Sequence, residues 1–183
     1  MAALAAFSCS DDDTKQENRD FLNQVKGIYT LDKIISDTPL DLNYDGVAGT
    51  DIMAEIDCFS GYQVIDGNDV IKDEIISRPT LHGGIFNSLL VSLPEHDMIN
   101  DEPYDNCYNK LSQVYGYAVN ENTKEITITA RDEQREAVHG TLTNIKWEDN
   151  TMHYWVKRKY LTPDGWQEVT LHITYRKDLT EEN

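Results

Sequence analysis

Apolar and polar residues alternate along most of this chain. The pattern is cleanest near the end, where Val169, Leu171, Ile173 and Tyr175 fall on one side and Thr170, His172, Thr174 and Arg176 on the other. A period of two predicts strands, and β-branched and aromatic residues reinforce it at 27–35 and 85–93. Shorter strands are predicted at 62–65 and 70–76. The second half is clearer, with strands at 114–119, 125–130, 136–147, 152–161 and 166–177. Turn formers separate them: Asn120 to Thr123, Glu148 to Asn150, and Thr162 to Gly165. Long strands joined by short loops predict an antiparallel meander. The predicted fold is therefore all-β, an antiparallel up-and-down barrel, with a sandwich as the alternative. A short helical turn over 18–25 leads into it, and no internal repeat or long amphipathic helix is seen.

Length and charge narrow the picture. The chain has 183 residues, and residues 19–183 suit one domain behind an N-terminal stretch, 1–18, that is polar from Ser10 on. That domain is long enough to bury a core without metals or many disulfides. Sixteen basic and thirty-three acidic residues give a net charge of −17, spread along the whole chain. This opposes nucleic acid, whose phosphates need Lys and Arg. The only basic cluster, Lys157-Arg158-Lys159, alternates faces on a predicted strand and reads as solvated surface. After the N-terminus no run approaches the ~18 apolar residues of a membrane span.

The run Gly27-Ile28-Tyr29-Thr30-Leu31 is followed by Leu40 to Val47, then Thr50-Asp51-Ile52, Glu55 and Cys58. This opening resembles the lipocalin-like lipoproteins of Bacteroidetes, with Gly27-Ile28-Tyr29 where lipocalins carry Gly-x-Trp. The resemblance covers about residues 25–60 well and the later strands loosely. It implies a β-barrel with one closed and one open end, and an Arg176 matching the arginine that packs over the first-strand ring. It implies no particular ligand. The N-terminus agrees: small apolar residues from Ala2 to Phe7 end in Ser8-Cys9, then turn acidic at Ser10-Asp11-Asp12-Asp13. This resembles the end of a bacterial lipoprotein signal peptide and a surface-export tether, and the absence of a basic n-region implies a longer precursor. Lipid on Cys9 would then hold the domain at the outer membrane, exposed at the cell surface. Cys58 and Cys107 remain, and in an oxidising envelope such a pair is expected to bond, two separately buried thiols being the alternative.

The sharpest chemical motif is Asp41-Leu42-Asn43-Tyr44-Asp45-Gly46. Oxygen-bearing side chains at alternate positions before a glycine can wrap calcium. The candidate ligands are Asp41, Asn43, Asp45, the Val47 carbonyl and Asp51, with Glu55 on the same face if Thr50 caps a short helix through Ile56. The alternative is an acidic loop bonded to its own backbone.

Other chemistry is sparse. His82, His96, His139, His153 and His172 show no ligand spacing, although His139, His153 and His172 fall on strands that can neighbour one another. No serine-nucleophile motif occurs. Tyr104, Tyr108, Tyr115 and Tyr117 suit either a core or a ligand platform, and Tyr154 and Trp155 must face opposite ways. The polar stretch from Pro94 to Tyr108 reads as a long loop, pinned by Cys107 if the disulfide forms and placed to act as a lid. The expectation is a non-catalytic envelope binding module for a small apolar or glycan-like ligand. The alternatives are a packed barrel that serves as a protein-interaction subunit, and, without a motif to support it, an envelope hydrolase.

Overall fold

The computed structural model describes residues 20–60, 63–65, 68–81, 84–99 and 102–179. Cys9, the acidic tether and His82 lie outside the described residues. Among the described residues, twelve strands and two short helices follow one another as α1 (Asp20–Val25), β1 (Gly27–Leu40), β2 (Gly49–Asp51), β3 (Phe59–Ser60), β4 (Gln63–Ile65), β5 (Asn68–Val70), β6 (Lys72–Pro79), β7 (Ile85–Ile99), β8 (Glu102–Asn120), β9 (Glu125–Ala130), α2 (Glu133–His139), β10 (Thr141–Glu148), β11 (Thr151–Thr162) and β12 (Gly165–Lys177).

Eight of these strands make a nearly closed barrel in the order β9, β8, β7, β6, β1, β12, β11, β10. Each pairs antiparallel with the next in that order, and β12 returns to β1, with Tyr29 opposite Lys177 and Ile34 opposite Ile173. The up-and-down barrel expected from the sequence is the observed fold. Local chemistry sets the turns. Asp149 and Asn150 both have positive φ (49° and 62°), the two-residue geometry that matches strand twist between β10 and β11.

Between β9 and β10 no backbone ladder forms among the described residues, and side chains stitch the seam instead. Glu136, buried on α2, accepts a hydrogen bond from Leu142 N (3.1 Å) and faces Arg131 Nη1 at 3.3 Å. Gln113 Nε2 donates to Gly140 O at 3.1 Å.

Burial follows the alternation. On β11 Met152, Tyr154, Val156, Arg158, Tyr160 and Thr162 are buried, and on β12 so are Val169, Leu171, Ile173 and Tyr175. One end of the barrel is shut by α1, which buries Phe21 and Val25. The Glu121 carboxylate accepts from Phe21 N (2.8 Å) and Leu22 N (3.1 Å), supplying the acceptors a helix start lacks. Trp147 packs its edge against Phe21, 5.6 Å between centroids, and donates to the Tyr29 hydroxyl at 3.0 Å. Tyr29 in turn donates to Val25 O.

Four expectations need correction. The strand predicted over 136–147 begins at Thr141, because Asp132 caps a helix by accepting from Gln134 N and Arg135 N, and Gly140 (φ 114°) ends it. Residues 94–99 and 102–108 are strand rather than loop: β7 and β8 pair Pro94 with Lys110, His96 with Tyr108 and Ile99 with Glu102. Arg176 does not pack over Tyr29. It pairs with Thr30, one residue out of phase, so it lies on the outer face, with Nε 3.0 Å from Asp32. Residues 51–55 form one hydrogen-bonded turn rather than a helix through Ile56, and Asp51, not Thr50, caps it.

Candidate functional site

The end of the barrel opposite α1 carries a cavity of about 580 Å³. Late β7, early β8, the end of α2, late β11 and the start of β12 all contribute walls. Two inward strand positions place its charged floor. Arg158 continues the buried series of β11, and Glu95 lies two residues beyond the buried Leu93 on β7.

The Arg158 side chain is only 6% exposed. Its Nη1 donates to Pro94 O at 3.1 Å, and its Cζ lies 4.1 Å from the centre of the Tyr160 ring. Nη2 stands 3.9 Å from Glu95, the outer limit of an ion pair. Glu95 is held more closely by His139 Nδ1, at 2.8 Å. His139 reaches it because Gly140 lets α2 approach β11: a Cβ there would sit 2.8 Å from Arg158 Cβ. Tyr108 and Tyr160 supply aromatic walls, and burial pushes both phenols above their ordinary range, so they act as neutral hydroxyls. Val138 (74% exposed) and Trp166 (56%) form an apolar lip.

Below this mouth the barrel is filled. Tyr154 and Tyr175 meet edge to face, 5.9 Å between centroids. Beside them Asp73 pairs with Lys110 (2.9 Å) and accepts from Ser92 Oγ (2.7 Å). Burial raises Tyr117 to about 12. Of the tyrosines singled out in the sequence, Tyr115 and Tyr117 are core residues, Tyr108 is buried at the floor of the mouth, and the side chain of Tyr104 lies outside the described residues. Tyr154 points in, while Trp155 points out and stacks on His172 at 4.7 Å.

The loop from Asp41 sits beside the same end. Asp41 accepts from Asp45 N (3.2 Å) and Gly46 N (3.0 Å), Asn43 from Asp45 N (3.2 Å), and Asp45 from Val47 N (2.7 Å). Much of its acceptor capacity is thus spent on its own backbone. Asp51 accepts from Met53 N at 3.1 Å. Glu55 folds back over Gly49, where a Cβ would collide with its Oε1. Burial raises the Glu55 carboxyl above its usual range, with Asp45, Asp41 and Asp51 adding to the rise and a backbone hydrogen bond from Leu42 opposing it. Among the described residues no three His, Cys, Asp or Glu side chains converge as a metal-binding group.

The disulfide is present: Cys58 and Cys107 are joined, with Cα atoms 4.6 Å apart. It ties the segment after the Asp41 loop to β8, where Phe59 pairs in parallel with Tyr108. Of the three strand histidines only two meet, His153 Nδ1 lying 3.0 Å from His172 Nε2 on the outer wall. His139 is on α2 at the mouth.

Sequence reasoning missed Arg158 and Glu95. The basic triplet is not a uniform solvated face: Lys157 and Lys159 are exposed, Lys159 at the rim of the mouth, and Arg158 points in. The signal was in the chain, because Met152, Tyr154, Val156, Arg158 and Tyr160 share one parity. Compared with known protein families, curated proteins and solved structures, the chain matches none.

Proposed function

We propose that this protein is a lipocalin-like binding module of the cell envelope that holds a small apolar or glycan-like molecule in the mouth of its barrel and performs no chemistry on it. The observation that carries this reading is the mouth cavity of about 580 Å³. Its size falls within the ~300–1,000 Å³ of small-molecule sites, and its lining sets the apolar Leu111, Val138, Leu161 and Trp166 beside a charged and polar floor. In this reading Cys9 bears lipid and the acidic tether presents the barrel at the surface of the outer membrane. Native mass spectrometry on protein released from its own cells tests it. A discrete organic mass beyond the lipid is the expected result. An empty chain that instead retains another protein overturns it in favour of an interaction subunit, a role to which the packed lower barrel is suited.

A second reading concerns the loop. Asp41, Asp45, Asp51 and Glu55 share one field, and the ion pairs among the described residues involve none of them. We propose that calcium supplies the missing positive charge, through Asp41, Asn43, Asp45, the Val47 carbonyl and Asp51, with Glu55 adding the residue the loop folds inward. Calorimetric titration should give one calcium per chain, with affinity falling as pH drops toward the raised Glu55 range. The absence of heat at neutral pH would leave the loop a turn only.

A further inference from the structure

Among the described residues three basic side chains, Lys110, Arg158 and Lys159, line the mouth cavity against one acid, Glu95. The chain as a whole has the opposite balance, sixteen basic to thirty-three acidic. Not all of that charge is available. Lys110 is committed to Asp73 at 2.9 Å and to Lys72 O at 2.9 Å. Glu95 is committed first to His139. Among the described residues Arg158 is therefore under-compensated: its nearest carboxylate is 3.9 Å away, and its buried Nε has no hydrogen-bond partner. Leaving a buried donor unmade is costly, and a charged one more so. Lys159, next on the strand, is exposed and joins no ion pair among the described residues.

We propose that the mouth takes a small organic monoanion, its charged head on Arg158 and its apolar body against Tyr160, Tyr108 and the Val138–Trp166 lip. This deepens, and rests on, the binding-module reading above. The Tyr160 ring supports one face of the guanidinium, which leaves the planar edge for a planar acceptor. The same contact argues against a cationic ligand, because Arg158 already occupies that ring face. With Lys110 held by Asp73 and Glu95 held by His139, the buried Arg158 is left to the ligand, which matches a head of one negative charge.

Two fluorescent probes that share an apolar body test this: the anion 8-anilinonaphthalene-1-sulfonate and the neutral N-phenyl-1-naphthylamine. The anion should bind the disulfide-intact protein about tenfold tighter, and Arg158→Gln should bring the two affinities together. Lys159→Glu, an exposed change that leaves the core alone, should weaken the anion several-fold and spare the neutral probe. If Arg158→Gln loses its near-ultraviolet circular dichroism, Lys159→Glu and the salt dependence of the anion decide. Equal affinities in the native protein, or a preference untouched by Lys159→Glu and by salt, overturn the monoanion. Binding of the neutral probe alone overturns the monoanion and leaves the binding module standing. Failure of both probes removes both.

Discussion

Tyr29 shows how much one side chain settles. It is 1% exposed, donates to Val25 O and accepts from Trp147 Nε1, so one hydroxyl ties α1, β1 and β10 together. Tyr29→Phe keeps the ring and strands both partners. It should cost about 1–2 kcal/mol in urea unfolding, and the cost should shrink in a Trp147→Phe background, where the indole donor is already gone. Gly140 is a second such position. Its φ of 114° is strained for any side chain, and a Cβ would meet Arg158 Cβ at 2.8 Å. Gly140→Ala should destabilise the fold by about 1–3 kcal/mol and shift His139 away from Glu95. The His139 ring resonances report the second effect independently of stability.

At the level of elements, the seam and the disulfide decide how the barrel closes. The carboxylate of Glu136 does the work of a missing ladder between β9 and β10, serving Leu142 N and Arg131. Glu136→Ala should cost about 2–3 kcal/mol and speed amide exchange at Leu142 and along β10, while β11 and β12 keep their protection. Uniform acceleration across all strands would show that the seam has no separate stability. The bond between Cys58 and Cys107 spans 49 residues of sequence. Chain entropy assigns such a loop about 4 kcal/mol. Its reduction should lower the unfolding free energy toward that limit and loosen β3 and the upper β7–β8 hairpin first.

For the molecule as a whole, acid should act through the outer wall as well as through the carboxylates. Burial lowers both His153 and His172 below their ordinary range, and Lys33 adds to each, with Glu148 opposing at His153. A depressed histidine binds fewer protons folded than unfolded. Its stabilising contribution is complete above about pH 6.5 and is lost as pH falls through the lowered value. The melting temperature should therefore fall below pH 6.5, and His172→Gln should flatten that slope while leaving the melting temperature at pH 8 nearly unchanged. A slope that survives the substitution would move the acid response elsewhere.

Much of this architecture was legible because alternation is local. Residues 166–177 declare which side faces in without reference to any partner, and Asp149-Asn150 declares its turn by its own φ preference. The disulfide was legible by elimination once Cys9 was set aside. Three things were not legible, each because it depends on distant contacts. Polarity at 94–108 suggested a loop, yet pairing between β7 and β8 satisfies that backbone regardless of side chains. The phase of Arg176 depends on cross-strand register, which one strand's sequence does not contain. Glu95, Arg158 and His139 come from three elements up to 63 positions apart, from Glu95 to Arg158, and only barrel closure brings them to one mouth. The sequence by itself determined most of the strands, the inward face of those with clear alternation and their turns, since these follow from each residue's own geometry and hydrophobicity. Only the tertiary structure decided which end is plugged, which charges meet and where a ligand would fit, because those depend on what closure sets side by side.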